Sequence, residues 1–454
     1  MYSDKVNKLL KKSKVRVGDR VVIAKQGRKT EGLLMPQTES GDADTLVIKL
    51  DNGYNIGIKA EKGISVKKTR SREPDAIEQE EEFEMGRIKK SLLKLEFNAK
   101  KPAISMISTG GTITSRLDYK TGGVTSLSKP AEILHNMPEL EKIVNIKSIL
   151  TPFTIMSESM DHEHWQKLAK ECAKELNKKE IKGLIVTHGT DTLHFTAAAL
   201  SFFLRGLHKP IVITGSQRSS DRGSSDAGMN LVCSSLATLS DIAEVGICMH
   251  GRIDDDYCIF SRGSKVRKMD TQRRDAFRPI NEYPLAKIWP DGKLQIKNRR
   301  YTKRDDNGKV RLDAKFEPKI AMLQAYPGSE PGLLEHLIKK GYKGFVIQAT
   351  GLGQVPSKTQ SWLPVMKRAI DSGMPVFLAP QTIYGRLNNN VYSEGRAVLK
   401  TGAVPLGDML PETAYVKLGW ALGHTRDPDK VREMMLTNYA GEITKRTLVG
   451  TFLY

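Results

Sequence analysis

The chain has 454 residues, enough for two or three domains that each bury a core. Hydrophobic residues make up 39% and charged residues 27%, and no apolar run of about 18 residues occurs, which excludes an ordinary membrane-spanning helix. The formal net charge of +20 and pI near 9.6 favour a polyanionic partner such as RNA through counterion release, with a solvated basic surface as the plain alternative.

The first residues, Met1-Tyr2-Ser3-Asp4-Lys5, lack the apolar core of a signal peptide. Cys172, Cys233, Cys248 and Cys258 show no metal-ligand spacing, so no metal site is expected and the thiols are read as reduced and buried. A cytoplasmic protein is the expectation.

Residues 1–68 read as a small β domain. Strand-like runs occupy 15–23 and 32–35, and runs at 45–50 and 54–58 flank Asp51-Asn52-Gly53. Asn-Gly between alternating apolar runs is a strong hairpin signal, because both residues accept positive φ. Short strands at this spacing predict an SH3-like barrel. Residues 69–100, acidic over 78–84 and lysine-rich over 89–101, read as a charged linker.

From residue 101 the pattern changes to strands alternating with helices, which predicts an α/β fold with a parallel sheet covered on both faces. Apolar runs fall at 103–107, 184–186, 211–213 and 245–249, with helical stretches at 165–176, 193–205 and 226–239. A hydrophilic, basic stretch at 280–318 turns at Asp305-Asp306-Asn307-Gly308. A second α/β unit follows, with strands at 320–324, 344–348 and 375–378 and helices at 332–340 and 360–372. The expected organisation is a β domain over 1–68, a linker over 69–100, and α/β domains over 101–300 and 301–454.

Two stretches share one form. Thr187-His188-Gly189-Thr190-Asp191-Thr192 follows an apolar strand and precedes a helix, and Thr109-Gly110-Gly111-Thr112-Ile113 also follows an apolar strand. Hydroxyl-bearing, glycine-containing turns at the carboxyl ends of strands lie where open α/β sheets keep their ligand crevice. Phosphate binding is a poor fit. The first turn has no following Gly-Lys-Ser/Thr, and Gly351-Leu352-Gly353 lacks a third glycine.

Nucleophilic catalysis by threonine is the alternative. A threonine hydroxyl needs a base to take its proton, and that base must itself be oriented. Asp191 can hold a cationic partner, for which Lys268 is a candidate, and glycine N–H groups at the turns can stabilise an oxyanion. On residue types alone, Thr190 and Asp191 serve equally well as a helix cap, with Lys268 one cation in a basic stretch.

The two motifs resemble the signatures of the L-asparaginase/glutaminase family, in order, within a likeness spanning about residues 102–440. That resemblance implies catalytic roles for Thr112, Thr190, Asp191 and Lys268, the last judged from its position ahead of Asp275-Ala276-Phe277. It further implies that Tyr119 assists Thr112 and that Ser157 and Glu158 grip the two ends of an amino-acid substrate. The same resemblance implies that Gly111 and Gly189 belong to the substrate-binding turns. Glu158 departs from the glutamine found in some members, which leaves glutamine and asparagine open as substrate.

The amino-terminal part extends the likeness. Gly32-Leu33-Leu34-Met35-Pro36 and Leu50-Asp51-Asn52-Gly53-Tyr54-Asn55-Ile56-Gly57, fused before such a core, resemble the D-subunit family of archaeal glutamyl-tRNA(Gln) amidotransferases. Ser219-Ser220-Asp221-Arg222, Ser225-Asp226 and Met435-Leu436-Thr437-Asn438 are also similar to it. The resemblance implies an amide-hydrolysing subunit that forms a homodimer, carries no cofactor and releases ammonia from glutamine or asparagine. A partner E subunit would hold ATP and Mg and act on Glu-tRNA(Gln). Two rivals are a free-standing cytoplasmic L-asparaginase and an RNA-binding module on an inactive core.

Overall fold

A computed structural model of the chain describes residues 2–35, 37, 42–49, 55–61, 63–70, 101–111, 116–117, 124–125, 139–218 and 225–454. The Asn52-Gly53 turn, Ser219-Ser220-Asp221-Arg222 and all but the first two residues of the expected linker lie outside these residues.

The amino-terminal unit is a five-stranded antiparallel sheet in the order Asn55–Lys59, Thr45–Lys49, Arg28–Leu34, Arg20–Lys25, Ser65–Arg70. Thr45–Lys49 and Asn55–Lys59 pair antiparallel, with Lys49 opposite Asn55. A helix over Asp4–Lys12, not anticipated from the lysine-rich sequence, precedes the sheet. Ser3 caps it by accepting from the Val6 N–H, while Asp4 and the terminal Lys11 and Lys12 complement the helix dipole. Its buried Val6 and Leu10 lie one turn apart and join Val21, Ile23, Leu34, Leu46 and Ile48 in one core.

The first α/β half is built on an eight-stranded sheet. Its order is Leu294–Ile296, Ala286–Ile288, Cys258–Arg262, Val245–His250, Ile211–Thr214, Ile181–Thr187, Ala103–Ser108, Asn145–Leu150. The last five of these strands are parallel, as the βα alternation predicts. The first three are antiparallel, so the sheet is mixed and not purely parallel. They are short and fall partly in the stretch read as hydrophilic, which hides them in the sequence.

Side chains alternate across the sheet. Leu184 and Val186 pack with the helices His162–Leu176 and Leu193–Phe203, whereas Ile185 faces Ala227 and Leu231 of the helix Ala227–Thr238. All four cysteines are free and buried.

The carboxy-terminal half carries a four-stranded parallel sheet in the order Ile320–Gln324, Gly344–Ala349, Val376–Pro380, Val404–Pro405. One helix, Pro411–His424, serves both halves. Its Val416 and Trp420 belong to the core of the large sheet, and its Ala414, Leu418, Ala421 and Leu422 to that of the small one. A helix apolar all round is buried on every side, and this one fixes the halves to each other. Among the described residues, no helix is long and apolar enough to cross a membrane.

Candidate active site

The site lies where two neighbouring parallel strands end. Ala103–Ser108 and Ile181–Thr187 pair parallel, regularly from Leu184 opposite Ser105 to Thr187 opposite Ser108 after a register shift near Ile181. Beyond their ends the pairing continues irregularly, the Thr109 N–H and hydroxyl both donating to the Thr187 carbonyl at 3.0 Å.

Glycine lets the two turns touch. Gly111 sits at φ +91°, and a Cβ there would fall 2.3 Å from the Gly189 nitrogen. A Cβ on Gly189 would in turn fall 2.8 Å from the Ser157 side chain. Gly111, Gly189 and Ser157, taken from three separate stretches, thus meet at one point. Ser157 is buried in a single 3-10 turn, Ser157–Ser159, whose next residue, Glu158, is exposed. The Thr192 hydroxyl donates to the Ser157 carbonyl at 2.6 Å and holds that turn against the second motif.

Lys268 reaches the same place from a different element. It ends the strand Val266–Lys268, which pairs antiparallel with Phe277–Pro279, Lys268 opposite Phe277. Its Nζ donates to Thr190 Oγ1 at 3.0 Å and to Asp191 Oδ1 at 2.7 Å. The Lys268 side chain is 10% exposed and that of Asp191 64%, so the amine is largely withdrawn from water while the carboxylate remains in it. An amine so held beside a hydroxyl can exchange a proton with it during reaction. Thr112 and Tyr119 lie outside the described residues.

A buried polar network supports the second motif. His188 sits 2.7 Å from the Gly189 carbonyl through Nδ1 and 2.8 Å from Thr196 Oγ1 through Nε2, and Thr196 accepts from Trp165 Nε1 at 3.1 Å. Burial pushes the His188 imidazole down to about 4, against the smaller opposing effect of its Gly189 contact. Neighbouring His194 is pushed down to about 3 by burial and by the Arg267 and Lys268 charges. Both rings are therefore neutral at physiological pH. They shape the site without adding charge to it.

Gln217 joins this site although no sequence motif marks it. The strand Ile211–Thr214 ends in Gly215-Ser216-Gln217, and a Cβ on Gly215 would lie 2.7 Å from the His188 carbonyl and 3.0 Å from Thr190 Cγ2. Gln217 Oε1 lies 3.5 Å from Thr190 Oγ1. Its one signal in the sequence is the strand-then-glycine form that the two recognised turns share.

The fold and this cluster define an asparaginase-type amidohydrolase. Residues 103–302 match the asparaginase N-terminal domain, 319–435 the glutaminase/asparaginase C-terminal domain, and 15–68 the GatD N-terminal domain. The structure resembles the thermostable L-asparaginase from Thermococcus kodakarensis with TM-score 0.66 and 28% identity, covering 76% of this chain and 100% of that one. Over its whole length the chain is similar to the D subunits of the glutamyl-tRNA(Gln) amidotransferases of Thermococcus kodakarensis, at 50% identity, and Pyrococcus furiosus, at 49%. Each match covers 99% of this chain, and 99% and 100% of the relative, respectively. The chain belongs to the D-subunit family of glutamyl-tRNA(Gln) amidotransferases.

Proposed function

We propose that this chain is the amide-hydrolysing subunit of a tRNA-dependent amidotransferase, releasing ammonia from glutamine or asparagine so that Glu-tRNA(Gln) becomes Gln-tRNA(Gln) on a partner subunit. The observation that carries the catalytic part is the reach of Lys268 Nζ to both Thr190 Oγ1 and Asp191 Oδ1.

In this reading the Thr112 hydroxyl attacks the amide carbon, with Tyr119 assisting. The Thr190–Lys268–Asp191 group draws off the hydroxyl proton and returns one to the departing nitrogen, which leaves as ammonia. Water then cleaves the resulting ester, freeing the acid and restoring Thr112. Backbone N–H groups at the Gly111 and Gly189 turns stabilise the oxyanion, while Ser157 and Glu158 hold the amino-acid end of the substrate. ATP and Mg belong to the E subunit, which phosphorylates the glutamyl carboxylate. The amide-hydrolysing chain works as a cytoplasmic homodimer within that complex.

The test is ammonia release from L-glutamine by the full chain, alone and with the E subunit, ATP-Mg and Glu-tRNA(Gln). A rise on adding partner and Glu-tRNA is expected. Equal coupled and uncoupled rates would favour a free-standing L-asparaginase instead.

A further inference from the structure

Gln217 is placed where it can touch both the reacting group and a bound amide. Its side-chain Oε1 lies 3.5 Å from Thr190 Oγ1, to which Lys268 Nζ already donates. With its oxygen engaged by Lys268, the Thr190 hydroxyl has its own proton to give, and Gln217 Oε1 is the acceptor within reach. The other end of the carboxamide is unsatisfied among the described residues: Gln217 Nε2 is buried and has no hydrogen-bond partner there. A buried amide donor without a partner is unfavourable, and at the edge of a reaction site the missing acceptor is most simply a ligand oxygen.

The turn that presents Gln217 is fixed from behind. Asp226, fully buried, accepts from the Gln217 N–H with both carboxylate oxygens at 3.0 Å and from the Arg218 N–H at 3.1 Å. Asn230 donates to the Gly215 carbonyl at 2.9 Å and to Asp226 at 3.1 Å, and its own Oδ1 accepts from the His250 backbone N–H at 3.0 Å. Gly215 at the head of the turn meets Thr190 and His188 too closely to carry a side chain. A carboxamide on such a backbone is held in place before substrate arrives, the condition for positioning a hydroxyl.

We propose that Gln217 is a substrate-contacting and positioning residue: Oε1 holds the Thr190 hydroxyl proton, and Nε2 donates to an oxygen of the bound amide substrate. This rests on the amide-hydrolase reading given above and adds a residue to it. The two contacts are separable by substitution. Gln217→Met keeps the length and removes both, whereas Gln217→Glu keeps the acceptor and removes the donor.

The experiment measures kcat and KM for L-asparagine and L-glutamine hydrolysis by the full chain with its partner subunit, with a thermal melt of each variant. Gln217→Glu should raise KM about tenfold and leave kcat within about threefold, the pattern of lost binding without lost chemistry. Gln217→Met should show the same rise in KM and a further fall in kcat of about tenfold. Wild-type kcat and KM in Gln217→Met would overturn the proposal, as would equal losses in both variants accompanied by equal drops in melting temperature. An inactive wild-type protein would instead refute the amide-hydrolase reading, so the two failures are distinguishable.

Discussion

Arg267 Nε lies 3.1 Å from Glu412 Oε1, which ties the strand carrying Lys268 to the helix shared by the two halves of the molecule. Two residues earlier, Lys265 Nζ pairs with Asp408 Oδ2 at 2.8 Å, and both side chains are fully buried. The catalytic half thus borrows two carboxylates from the carboxy-terminal half to hold its amine. Glu412→Gln should weaken folding by about 2 kcal/mol, the scale of a hydrogen bond to a charged group, and lower ammonia release several-fold. A urea titration with a parallel activity assay checks both; an unchanged urea midpoint would mean that the pair adds nothing.

Gly111→Ala tests the close approach of the two motifs. At φ +91°, with backbone 2.3 Å from the new Cβ, the methyl group must push the turns apart. The expected result is at least a tenfold loss of hydrolysis and destabilisation of about 1–3 kcal/mol. Full activity in this variant would show that contact between the turns is dispensable.

Asp408 links stability to acid. Burial pushes its carboxyl up, but the Lys265 charge and hydrogen bonds from Lys265 and Thr444 outweigh that and hold it below its ordinary 3.8. A depressed carboxyl stabilises the fold above the unfolded value, and that stabilisation is lost as pH falls below about 4. Asp408→Asn should therefore be less stable than wild type at pH 7, with the gap narrowing towards pH 3 in denaturant titrations. A gap independent of pH would exclude the carboxylate charge as its source.

His188 acts in a higher window. Its imidazole is held at about 4, against an ordinary 6.5, so between those values the unfolded chain binds a proton that the folded chain does not. Stability should decline as pH falls from 6.5 to about 4, by on the order of 3 kcal/mol from this ring. Comparing urea midpoints of wild type and His188→Gln at pH 7 and pH 4.5 isolates the effect. Identical slopes would assign the acid sensitivity elsewhere.

How much of this is legible in the sequence follows from where each residue draws its meaning. The motif around Thr190 and Asp191 announces itself locally, because an apolar strand, a glycine turn and a helix start lie within a few residues. Lys268 sits in no such pattern, and only its place ahead of Asp275-Ala276-Phe277 singles it out. The supports of its strand come from far along the chain. Asp408 lies 143 residues from Lys265, and a pairing of that span leaves no local trace. The strand Ser65–Arg70 merges with the start of the charged stretch in sequence, because five of its six residues are polar or basic. The helix Asp4–Lys12 is concealed in the same way, its amphipathic face hidden among lysines. A glutamine after a strand is common, and only the contact with Thr190 gives Gln217 significance.

The most direct measurement is ammonia release from L-asparagine and L-glutamine by the wild-type chain and by Lys268→Met. A group that exchanges the threonine proton contributes about a hundredfold or more, so the variant should lose that much while unfolding at the wild-type denaturant midpoint. A folded Lys268→Met protein that hydrolyses either amide at near the wild-type rate would contradict the account.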